Sequence, residues 1–528
     1  MKDIIQKITQ KLTKYGIIII SFIIGLIGIL SIFITAYFSN DFSTINENTF
    51  YKFTPGIFEI LITLISLIIL AILARKILKK VPDKYILIPV FLALLLVSIY
   101  WINVIKLCPE ADQKSVHEAA CALINAENPG AFFELGDRYM YIFPYQLGIA
   151  YIFSIIYRIF GQNWLYVQYI NAILSIINFA LLLYISKLLF NESKIQKILI
   201  VLLSFFGIYW IFFNPHVYGN IIGLTFALLS LIFTIRYLKN NKLIEVLFAG
   251  IFVSISILAK SNYNIFLCAI VVVLILKIVE NWKLKSFVPI LLLIISSILI
   301  NTPYEAILKH KYNMTTEGGM PMISYIYMGM DEPRDKAPGW YTGIILEIYG
   351  GTFYNEDLTI DLMKEKINDR ISYFINNPSA FFGFYAQKIA STWLNPTFQT
   401  VYYSMPFYRL NFYQEYANYF SVQKTAQNIL SGNLYKFEEF SFDIYQIVIF
   451  IFASIGIFLS KKEREIAIVL IPITVFGGFL FHIIWETKAI YVIQYYFILL
   501  PYAAFGLNYI FDKTEIFINK VLNKNKQV

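Results

Sequence analysis

Two carboxylates one residue apart, Glu110 and Asp112, stand in the loop Leu107–Lys114, directly after an apolar run over residues 85–104. A carboxylate at the edge of a bilayer is costly unless it is paired, hydrated or used. Within reach of a hydroxyl group, such a carboxylate can take the proton as a general base. We therefore predict that Asp112 is a catalytic base at a membrane face, with Glu110 as the second candidate. An ordinary solvated loop is the alternative.

Three basic residues could bind an anionic group at the same face. Lys260 follows one apolar run, Lys488 precedes another, and Arg138 precedes an aromatic stretch. A cation beside a phosphate stabilises the charge that develops when the phosphate leaves. The alternative for each is a long side chain that extends from an interfacial helix end into water.

The composition identifies an integral membrane protein. Of 528 residues, 58% are hydrophobic and only 15% are charged, with a mean hydropathy of +0.64. Water-soluble domains carry about 25% charged residues. The net charge of +9 comes from short basic clusters between apolar runs, so it indicates membrane topology and no nucleic-acid partner. The abundance of Ile, Lys and Asn is typical of an AT-rich bacterial genome, and we expect a bacterial cell membrane.

The apolar runs predict about twelve transmembrane helices, each long enough for the roughly 30 Å apolar core of a bilayer. Their ranges are 16–37, 55–74, 85–105, 163–186, 196–213, 218–236, 243–259, 263–280, 286–301, 442–460, 465–483 and 489–511. The predicted fold class is an all-α polytopic membrane protein. Interfacial helices in the first large external loop and a small external domain complete it.

Lysine and arginine orient the chain, because cytoplasmic loops carry the excess of basic residues. The N-terminal segment, the connection Arg75–Lys84, the later connections on that side and the C-terminal tail are basic, whereas the opposite short connections hold few basic residues. Both termini are therefore predicted to be cytoplasmic. The external side then receives two large segments, 106–162 and 302–440.

The segment Phe143–Phe160 is apolar enough to suggest a thirteenth span. If it crossed, the later basic clusters would fall on the wrong side of the membrane. We interpret it as a helix in the outer interface, with tyrosines at headgroup level and Gly161 as its end.

The order of these elements resembles the polytopic glycosyltransferases of the type C superfamily, notably the protein O-mannosyltransferase-like and aminoarabinose-transferase-like (family 39-like) branch. In that family a span ends at an external loop with an acidic motif. An interfacial helix then opens with a Tyr/Pro/Gly pattern, and the next span follows a Phe-Gly pair. The matching elements here are Asp112-Gln113, Tyr139 to Gly148, Phe160-Gly161 and, before the last span, the acidic-then-basic segment Trp485–Tyr491.

The resemblance divides the chain into four parts. Residues 1–84 are two extra N-terminal spans, 85–301 are a family-like transmembrane module with the external catalytic loop 106–162, 302–440 are the external domain, and 441–528 are C-terminal spans with a basic cytoplasmic tail. The chain departs from the family at the turn Asn214–Asn220, where Asn stands in place of a second acid.

The resemblance implies an inverting membrane glycosyltransferase with an external active site. Its donor would be a polyprenyl-phosphate sugar, since no nucleotide sugar is available outside the cell. Its acceptor would be a cell-envelope glycan, teichoic acid or protein. Asp112 would be the base, and Lys260, Lys488 and Arg138 would bind the donor phosphate. The residues expected to line the substrate site are Gln113, Tyr139, Tyr218, Asn220, Glu486 and Tyr491.

Metal and disulfide chemistry stay open in the sequence. The four histidines include no pair at metal-ligand spacing, so no metal ligand is assigned, and a divalent metal requirement is left open. His216 and His482 are expected to line the cavity. Cys108 and Cys121 could form a disulfide in an external loop, but two thiols is the preferred interpretation. In the long external segment, aromatic residues such as Tyr325 and Tyr341 could stack on a sugar, although packing is their default role.

Two other functions compete with the enzyme. A flippase or exporter of lipid-linked glycans would require charged or broken helices at mid-membrane, whereas most predicted spans are clean and the polar residues gather at one face. A structural membrane protein with a partner-binding external domain would not explain acids and cations at several outer helix ends. The flippase is kept as the alternative.

Overall fold

Helices dominate the computed structural model, which describes residues 2–38, 49–53, 60–63, 65–66, 69, 75, 79–105, 107–135, 138–190, 193–207, 209–281, 284–333, 336–404, 429, 433–461 and 465–524. Within these ranges the β-structure consists of one two-stranded antiparallel hairpin. The predicted all-α polytopic class is confirmed.

The N-terminal region is a long apolar helix that runs directly into the hairpin. Helix α1 is Lys2–Phe33, strand β1 is Ile34–Phe38 and strand β2 is Thr49–Phe53. The backbone of β1 also bonds to a distant turn, because the Ala36 amide donates to the Leu394 carbonyl at 3.0 Å. The predicted span 55–74 lies largely outside the described residues.

The next part of the chain holds two layers, a group of short helices in the first loop and a bundle of long apolar ones. The short helices are α3 (Asp112–Asn125), α4 (Pro129–Leu135), α5 (Tyr139–Ile142) and α6 (Leu147–Phe160). The bundle is formed by α2 (Lys84–Ile105), α7 (Trp164–Phe190), α8 (Lys194–Phe206), α9 (Tyr209–Phe213), α10 (Asn220–Asn240), α11 (Leu243–Ala259), α12 (Asn264–Asn281) and α13 (Val288–Tyr312).

The third part forms the predicted external domain and the return to the bundle. It consists of α14 (Ile323–Met330), α15 (Ile344–Gly351), α16 (Glu356–Asn376), α17 (Pro378–Trp393) and α18 (Thr400–Tyr403). The C-terminal helices are α19 (Asn433–Ser460), α20 (Leu470–Ile484), α21 (Ile493–Ile498) and α22 (Leu500–Lys524). Helix α19 packs along both α1 and α22, so the two ends of the chain share one core.

Eight helices in the described part of the chain are long and apolar enough to cross a membrane, by length and composition. Each overlaps one of the predicted spans. The range 243–259 is a shorter apolar helix, 196–213 is interrupted after Phe206, and 489–511 is divided between a 3-10 turn, α21 and α22. The count of twelve therefore stays a prediction.

Two boundaries differ from the sequence-based prediction for a local reason. Helix α13 continues through Pro303 to Tyr312, whereas the prediction ends that span at residue 301. Proline inside a helix removes one hydrogen bond and bends the axis without always ending it. Helix α6, which is predicted to lie in the interface, begins at Leu147 because Pro144 starts a short 3-10 turn before it. Its 14 residues span about 21 Å, which is shorter than the roughly 30 Å apolar core.

Glycines bring the loop layer against one end of α11. A Cβ on Gly219 would lie 1.8 Å from the Ala259 carbonyl oxygen, and a Cβ on Gly148 would lie 2.2 Å from the Leu258 carbonyl oxygen. Only residues without a side chain permit such close backbone approach. These two contacts fix the start of α6 and the turn before α10 beside the residue that follows α11, Lys260.

Candidate active site

Asp112 is the first residue of α3, and a strained turn places it there. Ala111 has a φ of 47° and a ψ of −127°, a backbone conformation that residues other than glycine rarely adopt. Strain of this kind costs about 1–3 kcal/mol and clusters at functional sites. The side chain of Asp112 is exposed and that of Glu110 is half-buried. The turn thus presents one carboxylate outward at the positive end of a helix.

Gln113, the next residue, joins α3 to the turn before α10. Its side chain is buried, and its Oε1 accepts a hydrogen bond from the Val217 backbone N–H at 2.7 Å. This contact holds residues 214–219 beside the acid. Asn220 serves a similar purpose on the other side, because its carbonyl accepts the Tyr263 hydroxyl at 2.6 Å.

Lys260 extends from the end of α11 into a pair of aromatic rings. Its Nζ lies 4.5 Å from the ring centroid of Tyr218 and 5.3 Å from that of Tyr491. Such faces stabilise an ammonium group. Burial lowers the pKa of Lys260 to about 8, and the carboxylates of Asp112 and Glu486 oppose the shift. The side chain is therefore mostly cationic at neutral pH.

Glu486 and Lys488 lie in the segment that links α20 to α21, and both are buried. The Tyr491 hydroxyl donates to Glu486 Oε1 at 3.2 Å. Burial raises the pKa of Glu486 to about 7; Lys488 lowers it most strongly among its neighbours, and Asp112 raises it. Lys488 Nζ lies 5.9 Å from the Trp340 ring centroid. An acid and a cation thus face the same space from this segment.

The fold brings these four charged residues together from three distant parts of the chain. Lys260 and Glu486 both respond electrostatically to Asp112. Tyr341 lies within reach of the same group. Burial, followed by the carboxylates of Asp112 and Glu486, raises the pKa of Tyr341 to about 12, and Lys488 opposes this shift. Two carboxylates and two ammonium groups therefore share one electrostatic environment at the ends of α3, α11 and α20.

Several tyrosines lie next to this charged group. The Tyr139 and Tyr218 hydroxyls are 3.4 Å apart, and Gln146 Nε2 donates to the Tyr218 hydroxyl. The Tyr145 and Tyr325 hydroxyls are 3.0 Å apart. The sequence-based prediction includes Tyr139, Tyr218 and Tyr491 but not Gln146 or Tyr145. The Tyr-Gln pair at the start of the interfacial helix was the signal that could have identified them.

Arg138 is placed differently from the other two predicted cations. Its side chain is exposed, and its guanidinium lies 5.0 Å from the ring centroid of Tyr354, after α15. This contact joins the first loop to the external domain. The structure brings Lys260 and Lys488 into the group around Asp112, whereas the contact described for Arg138 is with Tyr354.

The histidines divide into two sets. His216 stacks on Phe213 with centroids 5.0 Å apart, and burial, followed by the nearby Lys260, lowers its pKa to about 3. His482 lies 6.2 Å from the Tyr491 ring. These two therefore lie near Lys260, and their role in lining a cavity stays a prediction. His117 instead bonds to the Tyr157 hydroxyl at 2.7 Å within the first loop.

The described residues contain neither a metal-binding cluster nor a disulfide. No group of three or more His, Cys, Asp or Glu in the described ranges is arranged to hold a metal ion. The three cysteines, all of them described, form no disulfide in this structure, and the interpretation of Cys108 and Cys121 as two thiols stays a prediction.

The polytopic helical fold and a match to one sequence family over part of the chain agree with the predicted resemblance to polytopic membrane glycosyltransferases. Residues 146–304 match the family described as dolichyl-phosphate-mannose-protein mannosyltransferase. The match runs from the turn before α6 into α13. It includes Tyr218 and Lys260, begins after Asp112 and ends before Glu486.

One solved structure with a similar chain is the archaeal oligosaccharyltransferase AglB from Archaeoglobus fulgidus, in complex with an inhibitory peptide and a dolichol-phosphate. The identity is 12% and the TM-score is 0.41, and the similarity covers 84% of this chain and 52% of that one. The chain thus spans about half the length of that protein. No curated protein sequence shows significant similarity to the present chain.

Proposed function

We propose that this protein transfers a sugar, with inversion, from a polyprenyl-phosphate-linked donor to a hydroxyl acceptor on the external side of a bacterial cell membrane. The observation that carries the proposal is the convergence of Asp112, Lys260, Glu486 and Lys488 on one environment. The matched family is named for transfer from dolichyl-phosphate-mannose to protein, which supports a lipid-phosphate donor. The acceptor is a cell-envelope glycan, teichoic acid or protein.

In this mechanism the acceptor hydroxyl attacks the anomeric carbon while Asp112 takes its proton. The bond between the anomeric carbon and the phosphate oxygen breaks, and its electron pair leaves with the polyprenyl phosphate. Because attack and departure occur on opposite faces of the sugar, the product is inverted. An exposed carboxylate at a helix start suits the base, since an acceptor hydroxyl can reach it.

The two ammonium groups act on the leaving phosphate. Negative charge increases on the phosphate in the transition state. Cations that the protein already holds in place therefore stabilise the transition state more than the ground state. Lys260 is held by Tyr218 and Tyr491, and Lys488 by the segment after α20. In this proposal Glu486, whose pKa is raised to about 7, is partly protonated near neutral pH and hydrogen-bonds the sugar hydroxyls.

The test is transfer by purified full-length protein in detergent, using a panel of radiolabelled polyprenyl-phosphate sugars that begins with mannose. Detergent abolishes membrane sidedness, so transfer or phosphate release measures chemistry and separates an enzyme from a flippase. The variant Asp112→Asn keeps the shape of the side chain and removes its basicity. We expect a loss of about 10²–10⁴-fold in kcat.

The matched control is Glu127→Gln, an exposed acid just after α3, which should cost little. An Asp112→Asn protein that transfers sugar near the wild-type rate would refute the assignment and make Glu110 the next candidate. A wild-type protein that transfers none of the sugars but moves them across sealed vesicles would favour the flippase.

A further inference from the structure

Lys388 is a buried lysine on α17 that the proposed chemistry does not use. Its side chain is 1% exposed. Its ammonium donates hydrogen bonds to three backbone carbonyls, those of Gly329, Ile483 and Trp485, the last two at 2.9 Å. An ammonium group has three N–H donors and no acceptor, so these contacts satisfy it completely.

The three carbonyls belong to two helix ends that meet. Gly329 is at the C-terminal end of α14, and Ile483 and Trp485 are at that of α20. The last carbonyls of a helix have no partner within it and carry partial negative charge. The two ends approach closely, because a Cβ on Gly329 would lie 2.3 Å from the Ile484 carbonyl oxygen. Without a cation, these dipoles would face one another.

The same junction determines how the charged segment of the site leaves α20. Trp485 directly precedes Glu486, whose backbone N–H donates to the Tyr325 carbonyl at 3.0 Å. The Thr487 N–H donates to the Gly339 carbonyl at 2.9 Å. Gly339 in turn packs on the lysine stem, since a Cβ there would lie 2.7 Å from Lys388 Cε.

We propose that Lys388 is a positioning residue that binds the C-terminal ends of α14 and α20 together and so fixes the direction in which Glu486 and Lys488 enter the site. The catalytic consequence of this contact rests on the proposed function. The contact of Lys388 with the two helix ends, which we call the clamp, does not. Burial lowers the pKa of Lys388 to about 7 and Glu486 opposes the shift. Three acceptors favour the ammonium, because a neutral amine offers only two N–H groups.

The clamp is tested by hydrogen exchange and mass spectrometry on the full-length protein. Lys388→Met keeps the length of the side chain and removes every donor. Peptides covering residues 483–491 should exchange at least about tenfold faster, because three buried carbonyls lose their partner. Peptides from α10 to α13 should be unchanged. The control is Lys277→Met, which removes an ammonium from the Leu238 carbonyl at the end of α10 and should leave residues 483–491 unaffected.

The catalytic consequence is read from kinetics on the same samples. If Lys488 and Glu486 are misplaced, stabilisation of the transition state is lost more than donor binding is weakened. We therefore expect kcat to fall at least about tenfold, with KM for the donor nearly unchanged. Lys388→Gln, which keeps a shorter N–H donor, should lie between wild type and Lys388→Met. It also replaces Lys388→Met if that variant does not accumulate.

Unchanged exchange in residues 483–491, or equally faster exchange throughout the bundle, would overturn the clamp. Faster local exchange with an unchanged kcat would overturn the positioning role while the transferase stands. If wild type transfers no sugar, the proposed function fails, and the exchange result still decides whether Lys388 holds the two helix ends.

Discussion

The charge on Lys260 allows the electrostatic part of the mechanism to be tested through pH. Burial lowers its pKa to about 8, against a usual 10.5. A lysine is charged below its pKa, so the cation is present at pH 7 and is lost as the pH rises through about 8. Between pH 7 and pH 10 the charged fraction falls from about nine-tenths to about one-hundredth. We expect kcat/KM, which reports the free enzyme, to fall about tenfold per pH unit above 8.

Donor binding should move this alkaline limb. A shift from 10.5 to about 8 corresponds to a cost of about 3 kcal/mol for keeping the buried ammonium charged. A donor phosphate beside Lys260 returns part of this free energy and raises the pKa. The limb of kcat, which reports the donor-bound enzyme, should therefore lie at higher pH than the limb of kcat/KM.

The assay is the pH dependence of sugar transfer in detergent for wild type, Lys260→Arg and Lys260→Met. Arginine stays charged above pH 12, so Lys260→Arg should lose the alkaline limb, whereas Lys260→Met should lose about 10²–10³-fold at pH 7. Lys309→Arg, at an exposed lysine near the end of α13, is the matched control. A limb that stays in place in Lys260→Arg would assign it to another group and refute the reasoning.

Two further predictions concern the junction and the topology. Gly329→Ala should lower the free energy of unfolding by at least about 1–3 kcal/mol, since its Cβ would meet backbone atoms of residues 484 and 485, whereas Gly350→Ala meets nothing within 4 Å and should be neutral; thermal unfolding of both distinguishes them. Glu317→Cys and Gln162→Cys should both react with an impermeant thiol reagent on intact cells, in a background without the native cysteines. Labelling of Glu317→Cys only after lysis would contradict the orientation, and labelling of Gln162→Cys only after lysis would make residues 143–160 a true span.

Much of the fold was predictable because its signals are local. A run of about 20 apolar residues has few alternatives to a membrane-spanning helix, and eight predicted spans overlap helices of that kind. Helix breaks were less predictable: the chain interrupts 196–213 at Gly207 and continues through Pro303, because packing against neighbours decides whether such residues end a helix.

The chemical types at the site were also visible in the sequence. Asp112, Lys260, Glu486 and Lys488 stand out because charged residues beside apolar runs are costly and therefore few. Their order and spacing support a membrane glycosyltransferase, and the family match over residues 146–304 agrees. What the sequence by itself indicated is thus a resemblance to membrane glycosyltransferases and the inventory of charged groups beside the apolar runs.

Only the tertiary structure decided which of those groups meet. Asp112, Lys260 and Glu486 are far apart in the chain, and a close backbone contact at Gly219 helps to bring two of them together. Arg138, by contrast, faces Tyr354. Lys388 looks like one more lysine on an amphipathic helix, yet it is buried against three carbonyls. Such contacts depend on the approach of separate helix ends, which no local pattern of residues encodes.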